Sequence, residues 1–152
     1  MKYLPFIMLL ALPIFGSNLE ITSKDFFYKD GDNKATFSGN AVAKEQKNLI
    51  KSDKIVVFLD NNSEAEKYKA IGNVYFELVN SKKDINGTCD TLTYLPKPDK
   101  YILQGKVVIN DRKTNRKVFG DEIIIDNKKG TSYANSKSNK PVKFIFKVKS
   151  SK

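Results

Sequence analysis

Ala35-Thr-Phe-Ser-Gly39-Asn-Ala-Val-Ala43 returns as Tyr68-Lys-Ala-Ile-Gly72-Asn-Val-Tyr-Phe76, and again as Tyr101-Ile-Leu-Gln-Gly105-Lys-Val-Val-Ile109. Gly39, Gly72 and Gly105 follow one another at a constant 33 residues. Apolar residues flank each glycine at even offsets: Phe37, Ala41 and Ala43, then Ala70, Val74 and Phe76, then Leu103, Val107 and Ile109. Polar side chains fill most of the positions between, among them Thr36, Ser38, Lys69, Asn73, Gln104 and Lys106. Alternation of this kind over eight or more residues predicts a strand with one buried face. A glycine inside such a strand weakens it, so it marks a bulge, a sharp bend or a close approach.

A second module recurs between the copies of the first: Lys51-Ser-Asp53-Lys-Ile-Val-Val-Phe58, Gly87-Thr-Cys-Asp90-Thr-Leu-Thr-Tyr94 and Phe119-Gly-Asp121-Glu-Ile-Ile-Ile-Asp126. Each places an Asp two residues before an apolar one. Strict period-2 reading puts Asp53 on the face of Ile55 and Val57, Asp90 with Leu92 and Tyr94, and Asp121 with Ile123 and Ile125. It puts Cys89 on the face opposite Leu92. The fixed place of the aspartates before apolar runs is read as turn capping or backbone hydrogen bonding rather than carboxylate catalysis.

Outward from the repeats, Leu19–Phe27 and Pro141–Lys149 read as further strands, the latter with Val142, Phe144, Phe146 and Val148 alternating against Lys143, Ile145, Lys147 and Lys149. Turn residues separate the strands at Asp30–Asn33, Asp60–Ser63, Pro96–Pro98 and Asn127–Gly130. No stretch beyond the N-terminal segment carries a 3.6-residue period. The expectation is an all-β chain of short strands, as a sandwich, jelly roll or open barrel, whose 33-residue units bury their apolar face only by stacking.

The N-terminus reads as an export signal. Met1-Lys2 precedes an uncharged apolar run from Tyr3 to Phe15, followed by Gly16-Ser17-Asn18. The run is too short to span a bilayer and matches a signal-peptide core. Residues 1–16 are therefore expected to be removed near 16/17 or 17/18, leaving one exported domain over 17–152. Composition narrows the function further. The chain has 152 residues, no His, no Trp and one Cys. That excludes His-based general-base catalysis, His-ligated zinc and an internal disulfide. Neither a cofactor nor a metal is expected, and the chain is not expected to be an enzyme. The formal charge is +10, from 27 Lys+Arg against 17 Asp+Glu. Only Arg112 and Arg116 are arginines, and a site that clamps phosphate bidentately favours Arg. The excess is read as a diffuse positive surface or as lysines near a lipid phosphate. Export weighs against a nucleic-acid partner.

With the repeat in hand, the chain resembles the OstA-like/LptA family. The matching residues are Thr36–Asn40 with Ile71–Val74 and Leu103–Val107, Ser52–Ile55 with its echoes at 89–92 and 120–123, and Ile21–Lys24. The third copy departs, with Lys106 where Asn40 and Asn73 stand. The resemblance covers roughly residues 19 to 135. It implies a twisted open β-jelly roll built from repeated antiparallel strand pairs, with neither catalysis nor a cofactor. It further implies a carrier of lipopolysaccharide that shields the lipid A acyl chains in an apolar groove. Self-association is implied too, as are an LptC-like inner-membrane partner and an LptD-like outer-membrane translocon.

The residues expected to line the groove are Phe37, Ala41, Ala43, Ile55, Val57, Ala70, Val74 and Phe76, continuing through Leu92, Leu103, Val107, Ile109, Ile123 and Ile125. An open roll leaves edge strands fit for strand addition. Leu19, Ile21 and Phe27 at one end, and Val142, Phe144, Phe146 and Val148 at the other, are the expected docking residues. Rival readings are an LptC-like or LptD N-terminal-like component of the same transport system, or a β-sandwich that binds carbohydrate or serves a structural role.

Overall fold

A computed structural model describes residues 18–149. Ten strands follow one another: β1 (Leu19–Thr22), β2 (Asp25–Tyr28), β3 (Lys34–Glu45), β4 (Asn48–Leu59), β5 (Ala65–Val79), β6 (Asp84–Leu95), β7 (Lys100–Asp111), β8 (Arg116–Asp126), β9 (Thr131–Asn135) and β10 (Lys143–Ile145). Among the described residues there is no helix. All ten strands join one antiparallel sheet, in which β3 to β8 pair in sequence order. β1 and β2 both pair with β3, and β9 and β10 both pair with β8. The expected fold, an open all-β roll of repeated strand pairs, is the one observed.

The repeated glycines show how the sheet rolls. Gly39-Asn40, Gly72-Asn73 and Gly105-Lys106 all have positive φ, between 47° and 87°. At each pair the ladder slips by one residue against both flanking strands. The bulges therefore form a row across the sheet, and every long strand bends there. On one side of the row β1 pairs with Val42–Glu45 and β10 with Lys117–Phe119. On the other, β2 pairs with Ala35–Ser38 and β9 with Glu122–Asp126. One sheet becomes two half-sheets hinged along the glycine row.

The bend is sharp. A straight strand as long as β6, 12 residues, would span about 40 Å. Yet Lys83, just before β6, donates a hydrogen bond of 3.2 Å to Asn127, whose backbone N–H bonds the carbonyl of Asp99 just beyond the other end of β6. The half-sheets fold onto one another and share one apolar core, to which both contribute.

Three expectations need correction. The aspartates do not share the face of the apolar residues that follow them. Inward residues on the glycine strands stand four apart across the bulge (Phe37 and Ala41, Ala70 and Val74), but on the partner strands they stand three apart (Ser52 and Ile55, Cys89 and Leu92). The extra residue in one strand is absorbed by its neighbour as a change of parity. Asp53 and Asp90 consequently point outward, and Cys89, 4 % exposed, lies inside the core with Leu92.

The N-terminal strand is not continuous over Leu19–Phe27. It breaks at Ser23-Lys24, opposite the Gly39 bulge, where the Lys24 N–H bonds the Gly39 carbonyl at 2.9 Å. The C-terminal strand is three residues long rather than nine. Pro141 has no N–H to offer a ladder, and β8 begins at Arg116, so the partner strand runs out one residue beyond Ile145. Phe144 and Ile145, expected on opposite faces, are both exposed.

Candidate functional site

The space between the half-sheets is the feature into which most of the apolar residues among those described converge. All fourteen residues expected to line a groove face it. Thirteen are buried, and Ala43 is partly buried against them. Phe76 and Leu103 are 0 % exposed, so in this structure the protein's own side chains fill the centre. Sequence reading missed Ala35, Leu59, Leu78, Ile85 and Cys89, which complete the same core. Carrying the alternation through the whole strands would have found Ala35, Leu59 and Leu78; the parity change hid Cys89.

Toward the open side the apolar interior becomes aromatic and polar. Tyr68, Tyr94 and Tyr101 lie side by side on neighbouring strands, with ring centroids 6.3 Å and 4.5 Å apart. They lie two residues from Ala70, Leu92 and Leu103 along their strands, so alternation predicts this row. Burial raises the pKa of all three phenols. The neighbouring ring and Asp99 add to the effect at Tyr94, Asp99 at Tyr101, and Glu45 at each of the three. They are neutral hydroxyl donors throughout the physiological range.

A chain of hydrogen bonds crosses this open side. The Tyr94 hydroxyl donates to Asp99 Oδ1 at 3.1 Å, and the Asn127 amide donates to the same oxygen at 3.1 Å. Lys83 Nζ then donates to Asn127 Oδ1 at 3.2 Å. Burial lowers the Lys83 pKa, while Asp99 and Asp111 pull it back upward. Residues 44 apart in sequence thus meet at the tips of the two half-sheets.

The repeated aspartates serve the bend. Asp53 accepts a hydrogen bond from Asn73 Nδ2 at 3.0 Å and covers Gly72 so closely that a β-carbon there would strike Asp53 Oδ2. Asp90 covers Gly105 in the same way. Asp121 has no glycine strand beyond it. It instead accepts bonds from the Ser138 hydroxyl at 2.7 Å and the Lys137 N–H at 2.7 Å, which hold its carboxyl below the usual carboxylate range. Burial pushes the Cys89 thiol up to about 12, so it is not a nucleophile at neutral pH. Among the described residues no three His, Cys, Asp or Glu side chains gather as a metal site.

Of the expected docking residues, Leu19 and Ile21 are partly buried, with Ile21 packed against the core. Phe27 is 64 % exposed on β2, and Val142, Phe144, Phe146 and Val148 are exposed at the other end. The 136–142 excursion leaves beside it a cleft of about 420 Å³ between Val107, Phe119 and Pro141, rimmed by Lys106, Lys140 and Lys143.

No curated protein matches the chain in sequence. The fold matches a crystal structure of LptH, the LptA homologous periplasmic component of the conserved lipopolysaccharide transport device from Pseudomonas aeruginosa. Its TM-score is 0.74 at 14 % identity, and the match covers 86 % of this chain and 95 % of that one. Residues 20–131, which hold every glycine bulge and every long strand, match the family model described as LptA/(LptD N-terminal domain) LPS transport protein. A hinged roll repeated on a 33-residue period and a family model spanning most of the chain lead to one conclusion: this protein belongs to the LptA/LptD N-terminal domain family of lipopolysaccharide transport proteins.

Proposed function

We propose that this protein is a periplasmic lipopolysaccharide carrier, which takes lipid A acyl chains between its half-sheets and bridges the two membranes by edge-to-edge stacking. The observation that carries the reading is the apolar interior between the half-sheets. It runs from the β1/β2 edge to the β9/β10 edge, lined on both walls by aliphatic and aromatic side chains. Removing acyl chains from water contributes about 0.8 kcal/mol per methylene, so a few chains supply more affinity than surface lysines can. Neither outer edge has a further strand among the described residues, so each can add a strand of a like domain. A second copy, an LptC-like protein on the inner membrane and an LptD-like protein on the outer membrane are the partners that fit. The family is one of lipopolysaccharide transport, not of catalysis.

Delivery to the periplasm rests on residues 1–16 acting as a cleaved signal, with 17–152 as the mature domain. Residues 1–17 lie outside those described. N-terminal sequencing of the exported protein tests this: a start near Ser17 or Asn18 supports release, and an intact Met1 favours an anchored, LptC-like role.

The lipid reading is tested by binding of purified mature protein to lipopolysaccharide, with fully deacylated lipopolysaccharide as competitor. Binding that survives the competitor supports the acyl slot. Binding that the competitor abolishes reduces the protein to a basic surface reading sugar and phosphate. Absence of binding leaves a bridging or structural protein.

A further inference from the structure

We infer that Lys83, Asn127, Asp99 and Tyr94 form a latch across the mouth of the roll, and that an anionic lipid headgroup releases it by taking the Lys83 ammonium from Asn127. The inference rests on the carrier reading and adds how the slot opens. Its geometry is independent of that reading. Lys83 belongs to the turn between β5 and β6, at the tip of one half-sheet, and Asn127 follows β8 at the tip of the other. The side chains meet at 3.2 Å on the side away from the glycine hinge, where a single link has most leverage on the angle between the halves.

The slot needs such a device. Phe76 and Leu103 are fully buried, so an acyl chain enters only where the half-sheets part. The bulge row is the hinge, because its residues already occupy left-handed backbone that regular strand does not use. The mouth is the place that moves.

The choice of groups explains the trigger. Lys83 is a partly buried cation whose direct acceptor is a neutral amide oxygen. The carboxylate of Asp99 lies one bond further along, already accepting from Tyr94 Oη and Asn127 Nδ2. An ammonium bonds an ionised phosphate more strongly than a neutral amide. A phosphorylated lipid at the mouth therefore competes well for Lys83, and its binding removes the Lys83–Asn127 hydrogen bond between the two tips. Asn127 and Tyr94 remain tied to Asp99, so the second tip keeps its shape while the first moves.

The test joins the tips covalently. Lys83→Cys with Asn127→Cys, bridged by a short bis-maleimide, should slow lipopolysaccharide uptake on the order of tenfold or more against the same variant left unbridged. Cys89 does not compete for the reagent, being buried with its thiol raised to about 12. Lys83→Met, which keeps the stem and loses the donor, should load faster than wild type and lose the preference for phosphorylated over dephosphorylated lipopolysaccharide. Equal uptake by bridged and unbridged protein overturns the latch while leaving the carrier reading intact. If neither form binds, the carrier reading fails. Hydrogen exchange without lipid then decides the latch: faster exchange at the amides of residues 79–85 in Lys83→Met supports it, and unchanged exchange overturns it.

Discussion

At Gly72 the backbone has φ +87°, and the carboxylate of Asp53 occupies the space a side chain would need. Both facts forbid a β-carbon, and they can be separated. Gly72→Ala should destabilise the fold by about 2 kcal/mol, from left-handed strain plus the clash. Adding Asp53→Ala should return part of the loss by removing the clash, leaving the backbone term. Urea denaturation of the two variants checks this, and equal stability of both would mean that the contact contributes nothing. Asp121 adds a pH dependence at the same scale. Its folded pKa lies below 3.8 because Ser138 and Lys137 hydrogen-bond the ionised form. Its contribution is therefore complete above the unfolded value and disappears as pH falls through the lower folded one. Amide protection factors at residues 136–140, taken relative to the intrinsic exchange rate at each pH, should fall as pH drops below 3.8, and Asp121→Asn should show the lower protection already at neutral pH. The glycines announced themselves by their spacing. That the aspartates stand over them was not readable, because the pairing of Asp53 with Gly72 is set by the register between β4 and β5.

Among the strands, the six long ones were legible; β1, β2 and β10 lay in stretches expected as strands of other bounds, and β9 was missed. β3 to β8 carry alternation on both sides of a bulge, and each has two neighbours to satisfy. β1 and β2 are one expected strand broken opposite the Gly39 bulge of β3, and β9 and β10 pair with β8 on either side of the bulge row, with residues 136–142 between them. The apolar alternation of Leu19–Phe27 suggested continuity, but the adjacent strand imposes the break. The C-terminal segment ends beside the 136–142 excursion with Phe144 stacked edge-on against Phe146, ring centroids 5.4 Å apart. Deleting residues 141–152 removes this exposed apolar edge and leaves β9 on β8. The expected outcome is a folded protein whose self-association weakens, read by sedimentation velocity. An unchanged mass distribution would move the joint to the β1/β2 edge.

The whole molecule is a hinged pair of half-sheets, and its stability depends on the core both contribute to. Leu103, at 0 % exposure beside the hinge, is paired with Leu92 on one side and Ile123 on the other. Leu103→Ala should cost about 3 kcal/mol in chemical denaturation, as transfer and cavity terms add. A much smaller loss would show that the half-sheets close over the gap, as a slot made to change its width can do. The sequence by itself determined the all-β class, the place of the bend and the membership of the inner wall on the glycine strands. Those properties reside in neighbours two to four residues apart. Tertiary structure alone decided which way Cys89 and the aspartates face, where the edge strands break, and that Lys83 meets Asn127. A bulge acts through the ladder on the strand beside it, and the meeting of two distant turns depends on the angle of the fold between them. Periodicity along one chain records neither.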